Sequence, residues 1–405
     1  MKIECGVSVL KEALQNVQRS VASKSTIEVL EGVLIKARSQ SEIFICGYNL
    51  EIGITTTISA KVEDPSGFVI DPKIIVDILR KTESSEIFIK FNEETLDVEV
   101  ESGNSKFFIK ALSQDEYPVL PNVEDGKNIK VKASVLKKMI KQTIFAASLT
   151  DENPISTGTL FNIKENSLTL VCVDGFRLSK TCLNLNVRNT LEENFIVPAK
   201  SLSELIRLMP GEKDTILSED ENNRNKGEES KTGENDKSSQ NSKNEENTDV
   251  IVEFGKNHVI FTYSSYSVIS RLLEGTFLDY NAAIPKTCTY NLKINTKELI
   301  SSIERVSVLI SERTKSPVRL KFSNNLINFY CKSPLGASED RLYVDFNGEA
   351  FEIGLNSKYI LDALKNADTD IVNLGFSGTL APVKITPISG NDFLFLVLPV
   401  RLVAE

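Results

Sequence analysis

Apolar and polar positions alternate over short runs through most of the chain: SEIFICG, EIFIKFN, LDVEVES, KFFIKAL, SLTLVCV, NLINFYC and DRLYVDF, separated by Gly, Asn and Asp. A period of two bounded by turn residues predicts half-buried strands. Between these runs the period lengthens to that of a helix. SVLKEALQNVQRSV from Ser8, SVLKKMIKQTIFAA from Ser134 and KELISSIERVSVLI from Lys297 share one apolar stripe. DPKIIVDILRK from Asp71, PAKSLSELIRL from Pro198 and NSKYILDALKN from Asn356 share another. Both patterns predict amphipathic helices.

These six helices form a repeat. Leu10, Leu136 and Leu299 are 126 and 163 residues apart, and Lys73, Lys200 and Lys358 are 127 and 158 apart. Both longer intervals contain one segment, Ser218–Asp249, whose 32 residues include no Val, Ile, Leu, Phe or Tyr. Without it the intervals become 131 and 126, so two independent patterns share one period. The reading is an α+β chain of three tandem homologous domains, 1–126, 127–286 and 287–405, each pairing helices with a sheet. The segment 218–249 carries ten acidic and five basic residues. It cannot bury enough apolar surface to offset the entropy of ordering, and is expected to be a disordered insertion in a hairpin loop of the second domain.

That insertion accounts for −5 of the net charge of −9. The remainder is close enough to neutral for clustered lysines to make a local positive surface, and lysines recur at equivalent places on the repeated helices. Duplex DNA is the natural polyanion for such a surface. The six cysteines are scattered, His258 is the only histidine, and no glycine-rich phosphate loop is present. These facts argue against a zinc site, histidine-based catalysis and nucleotide binding, and no cofactor or metal is expected. No run reaches the length of a membrane span, and Glu4 and Glu12 stand where a signal peptide would be apolar, so a cytoplasmic protein is expected.

One feature resists the pattern of frayed polar chain ends: the run FLVLPVRL from Phe395 to Leu402. Together with VDGFRLS (Val173 to Ser179), GYNLEIGI, DEYPVLP, FIVPAKSLSELI, GTFLDYNAAIP and EIGLNSKYILDAL, it gives a close resemblance to the bacterial DNA sliding clamp, the beta subunit of DNA polymerase III. The resemblance spans essentially the whole chain outside 218–249. It implies a head-to-tail homodimer, a six-domain ring with helices inside and sheets outside, and a non-catalytic processivity factor. The implied partners are sequence-independent double-stranded DNA, a second copy, the replicative polymerase subunit, a clamp-loader complex, and other replication and repair proteins carrying short clamp-binding peptides. No membrane partner is implied.

The resemblance also assigns residues. The peptide groove falls on Val173, Asp174, Gly175, Phe176, Arg177, Leu178, Leu278, Asn356, Tyr359, Leu380 and Pro382, completed by Leu396, Val397, Leu398, Pro399, Val400, Arg401 and Leu402. DNA-facing positions are Lys24, Lys73, Lys137, Lys138, Lys141, Lys200 and Lys358. Ring closure sets Phe107 and Ile109 of one chain against Leu309 and Ile310 of the other. Ser156, Leu278, Ala282 and Glu28 depart from the usual family residues. They bear on partner choice, and leave open a divergent clamp-like platform that serves non-polymerase partners. A hydrolase is the third reading, with no nucleophile and base set to support it.

Overall fold

The computed structural model describes residues 1–123, 126–150, 152–185, 192–209, 248–310 and 316–402. Six helices correspond to the six predicted: α1 (Val7–Val17), α2 (Pro72–Lys81), α3 (Ala133–Ile144), α4 (Ala199–Leu208), α5 (Thr296–Ser307) and α6 (Ser357–Lys365). Three have side-chain N-caps. Asp71, Asn295 and Asn356 accept hydrogen bonds from the first-turn amides of α2, α5 and α6, and Pro72 opens α2 where its missing N–H costs nothing. Their apolar stripes are buried, with Leu10, Leu14, Leu136, Ile140, Leu202, Leu299 and Ile303 wholly inaccessible.

The chain packs as two compact units, residues 1–137 with 200–272, and residues 138–199 with 273–405. The second repeat is divided between them because its strands extend the sheets of both neighbours. In the first unit a nine-stranded sheet joins Ile52–Ser59 antiparallel to Tyr266–Arg271, and a five-stranded sheet ends at the edge strand Ser105–Lys110. Ser20 ties α1's C-terminal turn to the larger sheet: its hydroxyl reaches the Val17 and Gly47 carbonyls and accepts the Ile54 N–H.

In the second unit an eight-stranded sheet joins Arg177–Asn184 antiparallel to Phe393–Val397. A five-stranded sheet runs from the edge strand Gly336–Tyr343 to Pro399–Val400. The terminal run therefore serves two sheets in succession. Phe322, Phe346, Phe351, Phe376 and Tyr290 form a connected aromatic cluster in this unit, with ring centroids 4.5–5.9 Å apart.

Most of the insertion lies outside the described residues, but its last two residues correct the expected boundary. The Thr248 carbonyl accepts the Ala133 N–H, and Asp249 opens the strand Asp249–Phe254, paired with Lys132 in register and by a 3.0 Å ion pair. Asp249 is polar, yet its backbone completes a ladder. Among the described residues no helix is long and apolar enough to cross a membrane.

Candidate functional site: an apolar groove and six charged helices

The groove residues converge in the second unit. Between Ser167–Val173 and Arg177–Asn184 the chain turns at Asp174, Gly175 and Phe176. Asp174 Oδ1 accepts the amides of Phe176 and Arg177. Gly175 has φ +89°, in the left-handed region where a side chain is costly, and open space where a Cβ would stand. The turn leaves Phe176 58% exposed, and the Phe176 carbonyl accepts the Leu398 N–H at 2.8 Å.

Strand alternation sorts the remaining positions into floor and core. Leu178 lies opposite Leu396, and both join Val173, Leu160, Val171 and Ile196 in one buried cluster. Ile155, Phe277 and Tyr280 pack on that cluster half-buried. Phe176, Leu278, Leu380, Leu398 and Val400, by contrast, are exposed. Val397 departs from its assignment as a groove residue. It follows Leu396 on the opposite face and is wholly buried in the core of the last repeat.

Arg177 also differs from the expected lining role. Its residue is 7% exposed, with Nε 2.9 Å from Asp174 Oδ2 and Nη1 2.6 Å from Asp362 Oδ2. Its guanidinium carbon lies 4.6 Å from the Tyr359 ring centroid and 5.7 Å from that of Phe145. Tyr359 in turn stacks on Phe176 at 6.0 Å. Arg177 therefore holds the turn and α6 in place. Asn356 likewise uses its side-chain oxygen as the α6 cap. Pro382 and Leu402 are half-buried, Pro399 pairs with Leu355, and Arg401 is exposed.

The helices concentrate positive charge. They carry thirteen Lys and Arg against six Asp and Glu, whereas the whole chain has 47 against 56. Lys73, Lys141, Lys200 and Lys358 are exposed on α2, α3, α4 and α6, and Lys24 is exposed in the loop after α1. Lys138 is exposed but paired with Asp368 at 2.8 Å. Lys137 contradicts its DNA-facing assignment: it is half-buried, and its ammonium donates to the Met209 carbonyl at 2.6 Å. A lysine next to the C-terminal end of α4 satisfies an otherwise unpaired carbonyl and the negative end of the helix dipole.

The expected interface residues lie at or near sheet edges. Phe107 is exposed and Ile109 half-buried on the edge strand Ser105–Lys110. Leu309 stands 3.6 Å from the Cβ position of Gly336, which opens the other edge strand, and Ile310 packs on the core of the last repeat. Sequence reading did not include Asp362, Ile155, Phe277 or Tyr280. Asp362 was recoverable from its place one turn after Lys358 on α6; the others required the fold.

Repeated helix pairs and sheets, with an apolar groove around a terminal strand where the second repeat meets the third, define a DNA-clamp-fold protein. Models of the N-terminal, central and C-terminal domains of the DNA polymerase III beta subunit match residues 1–121, 130–225 and 281–401. The chain belongs to that family, whose members are non-catalytic processivity factors of DNA polymerase III. It is 29% identical over 398 residues to the beta sliding clamps of Staphylococcus epidermidis and Staphylococcus aureus, covering 96% of both chains in each case. The solved DNA polymerase sliding clamp of Bacillus subtilis is similar at 26% identity and TM-score 0.87, over 100% of both chains. The beta subunit of Thermotoga maritima is similar at 25% and 0.82, over 99% of this chain and 100% of the other.

Proposed function

We propose that two copies of this chain close head to tail into a ring around duplex DNA and tether the replicative polymerase through the apolar groove. The observation that carries this reading is the terminal strand itself. It serves the eight-stranded and then the five-stranded sheet, yet leaves Leu398 and Val400 exposed, with Leu398 bonded to the turn that carries exposed Phe176 and with Leu278 and Leu380 exposed as well. Exposed apolar side chains around a pre-formed floor suit short peptides with leucine and phenylalanine anchors, and Arg401 supplies an exposed cation to orient them.

Ring closure would pair the edge strand Ser105–Lys110 of one copy with Gly336–Tyr343 of the other, burying Phe107 and Ile109 near Leu309 and Ile310. Lys24, Lys73, Lys141, Lys200 and Lys358 would attract phosphate loosely, without reading sequence. Domain limits at 127 and 287, a cytoplasmic location, and loading by a separate clamp-loader complex complete the reading. The similarity to beta sliding clamps along nearly the whole chain favours the polymerase clamp over a platform for non-polymerase partners.

Fluorescence polarisation with a labelled C-terminal peptide of the organism's replicative polymerase tests the groove. The full chain is expected to bind, and a chain ending at Val397 is expected to lose binding. Truncation earlier would remove Leu396 from the floor and Val397 from the core. Equal binding by both folded chains would contradict the groove assignment.

A further inference from the structure

The five-stranded sheet of the second unit buries one face against α5, with Phe322, Ile327 and Phe329 in the same core as Leu299 and Ile303. Strand alternation turns the intervening side chains away from the helices. Register sets Lys321, Asn328 and Arg341 side by side across three strands, with Arg319, Tyr330 and Glu339 in the next row. Neighbouring strands are about 4.8 Å apart, so the Cα atoms of Lys321 and Arg341 stand about 10 Å apart. A depression of about 300 Å³ opens over these two rows.

This face is more positive than the chain as a whole. Arg319, Lys321, Lys332 and Arg341 stand on it against Glu339 and Glu352, an excess of two positive charges on a chain of net −9. Glu352 pairs with Arg319 at 3.6 Å. Lys321 and Arg341 are exposed, and among the described residues neither has an ion-pair partner. The five-stranded sheet of the first unit has a comparable face, but there Lys2, Lys61, Lys106 and Lys110 are each paired with an acidic neighbour. Two rings interleave the cations of the second unit. Tyr330 is half-buried opposite Arg319, and Tyr343 is 81% exposed two residues beyond Arg341 on the same face. Among the described residues neither ring stacks on another.

We propose that this face binds single-stranded nucleic acid, with Lys321 and Arg341 on phosphates and Tyr343 and Tyr330 stacking on bases. Cations alternating with accessible rings on a sheet suit a flexible strand whose bases are free to stack, whereas a duplex keeps its bases inside. An acidic peptide would satisfy the cations and leave the rings unused. The site uses none of the groove residues and none of the lysines assigned to duplex DNA. Ring closure would engage the backbone edge of Gly336–Tyr343 and leave this face of it open.

Fluorescence polarisation tests this on the full chain, with a labelled oligothymidine of about ten nucleotides, within the usual site size for one small domain. Changing Lys321→Gln and Arg341→Gln together should lower the log–log salt slope by about 1.4, for two phosphates at about 0.7 each. Tyr343→Ala should weaken binding about fivefold or more, the lower range for one base stacked on one ring. These side chains are exposed, and melting curves check that the fold is kept. A chain with Lys73, Lys141, Lys200 and Lys358 changed to Gln should still bind the oligothymidine. No binding by the folded parent, loss of binding on those helix changes, or an unchanged slope and affinity in the sheet-face variants would overturn the proposal. Equal binding of a polyglutamate peptide of the same length would also overturn it, and would assign the face to an acidic protein partner.

Discussion

Arg177 Nη1 lies 2.6 Å from Asp362 Oδ2 and joins the groove turn of the second repeat to α6 of the third. The same guanidinium holds Asp174, so one buried cation orders both the turn that presents Phe176 and the helix that presents Tyr359. Removing one partner of a desolvated ion pair leaves the other charge buried, which costs about 3–5 kcal/mol. Arg177→Met should therefore destabilise the protein by about 3 kcal/mol. Asp362→Asn should cost about 1 kcal/mol, because that carboxylate is a third exposed and screened. Urea unfolding of both variants checks the order, and equal midpoints would contradict it.

Lys137 and Lys141 lie one turn apart on α3 but do different work. Neutralising Lys73, Lys141, Lys200 and Lys358 together should make the salt dependence of DNA association shallower by roughly one to three in log–log slope. Lys137→Met should leave that slope unchanged and lower the melting temperature, since its ammonium serves the Met209 carbonyl. A salt titration of DNA binding, with melting curves alongside, separates the two roles. A slope change for Lys137→Met equal to that of the exposed lysines would contradict the assignment.

Ile109→Asp places a charge in the proposed contact of edge strands. Its half-buried position on an otherwise exposed strand predicts a folded monomer rather than an unfolded chain. Analytical ultracentrifugation at micromolar concentration should show the parent as a dimer and the variant at monomer mass. An unchanged dimer would move the interface elsewhere.

His258 gives a single titration signal. Partial burial, assisted by Arg271, holds its pKa below the ordinary value of 6.5. The unfolded chain thus takes up its proton first as pH falls, so native stability should decline below about pH 6.5. His258→Gln should remove that share of the decline. Proton NMR of the one imidazole reads its midpoint directly, and a midpoint above 6.5 would reverse the sign.

The helices were legible because Leu10, Leu136 and Leu299 repeat within a stripe that only a helical period explains. The strands were legible where alternation was strict, as in EIFIKFN. What escaped was long-range. Tyr266–Arg271 and Ile52–Ser59 give no local sign that they pair, so the division of the second repeat between two units could not be read. The groove's location was carried by VDGFRL and LPVRL, but which face each residue takes depends on register. Val397 turned inward and Arg177 found Asp362 for that reason. Asp249 was assigned to the insertion on composition, which does not see the backbone ladder that it completes.

Encirclement is tested most directly by topology. The protein, loaded by a clamp loader with ATP onto a nicked DNA circle, is passed through a gel-filtration column before and after the circle is cut once. A ring should stay with the circle at moderate salt and leave the linear product by sliding off its ends. Equal retention on circular and linear DNA would contradict encirclement and indicate ordinary surface binding instead.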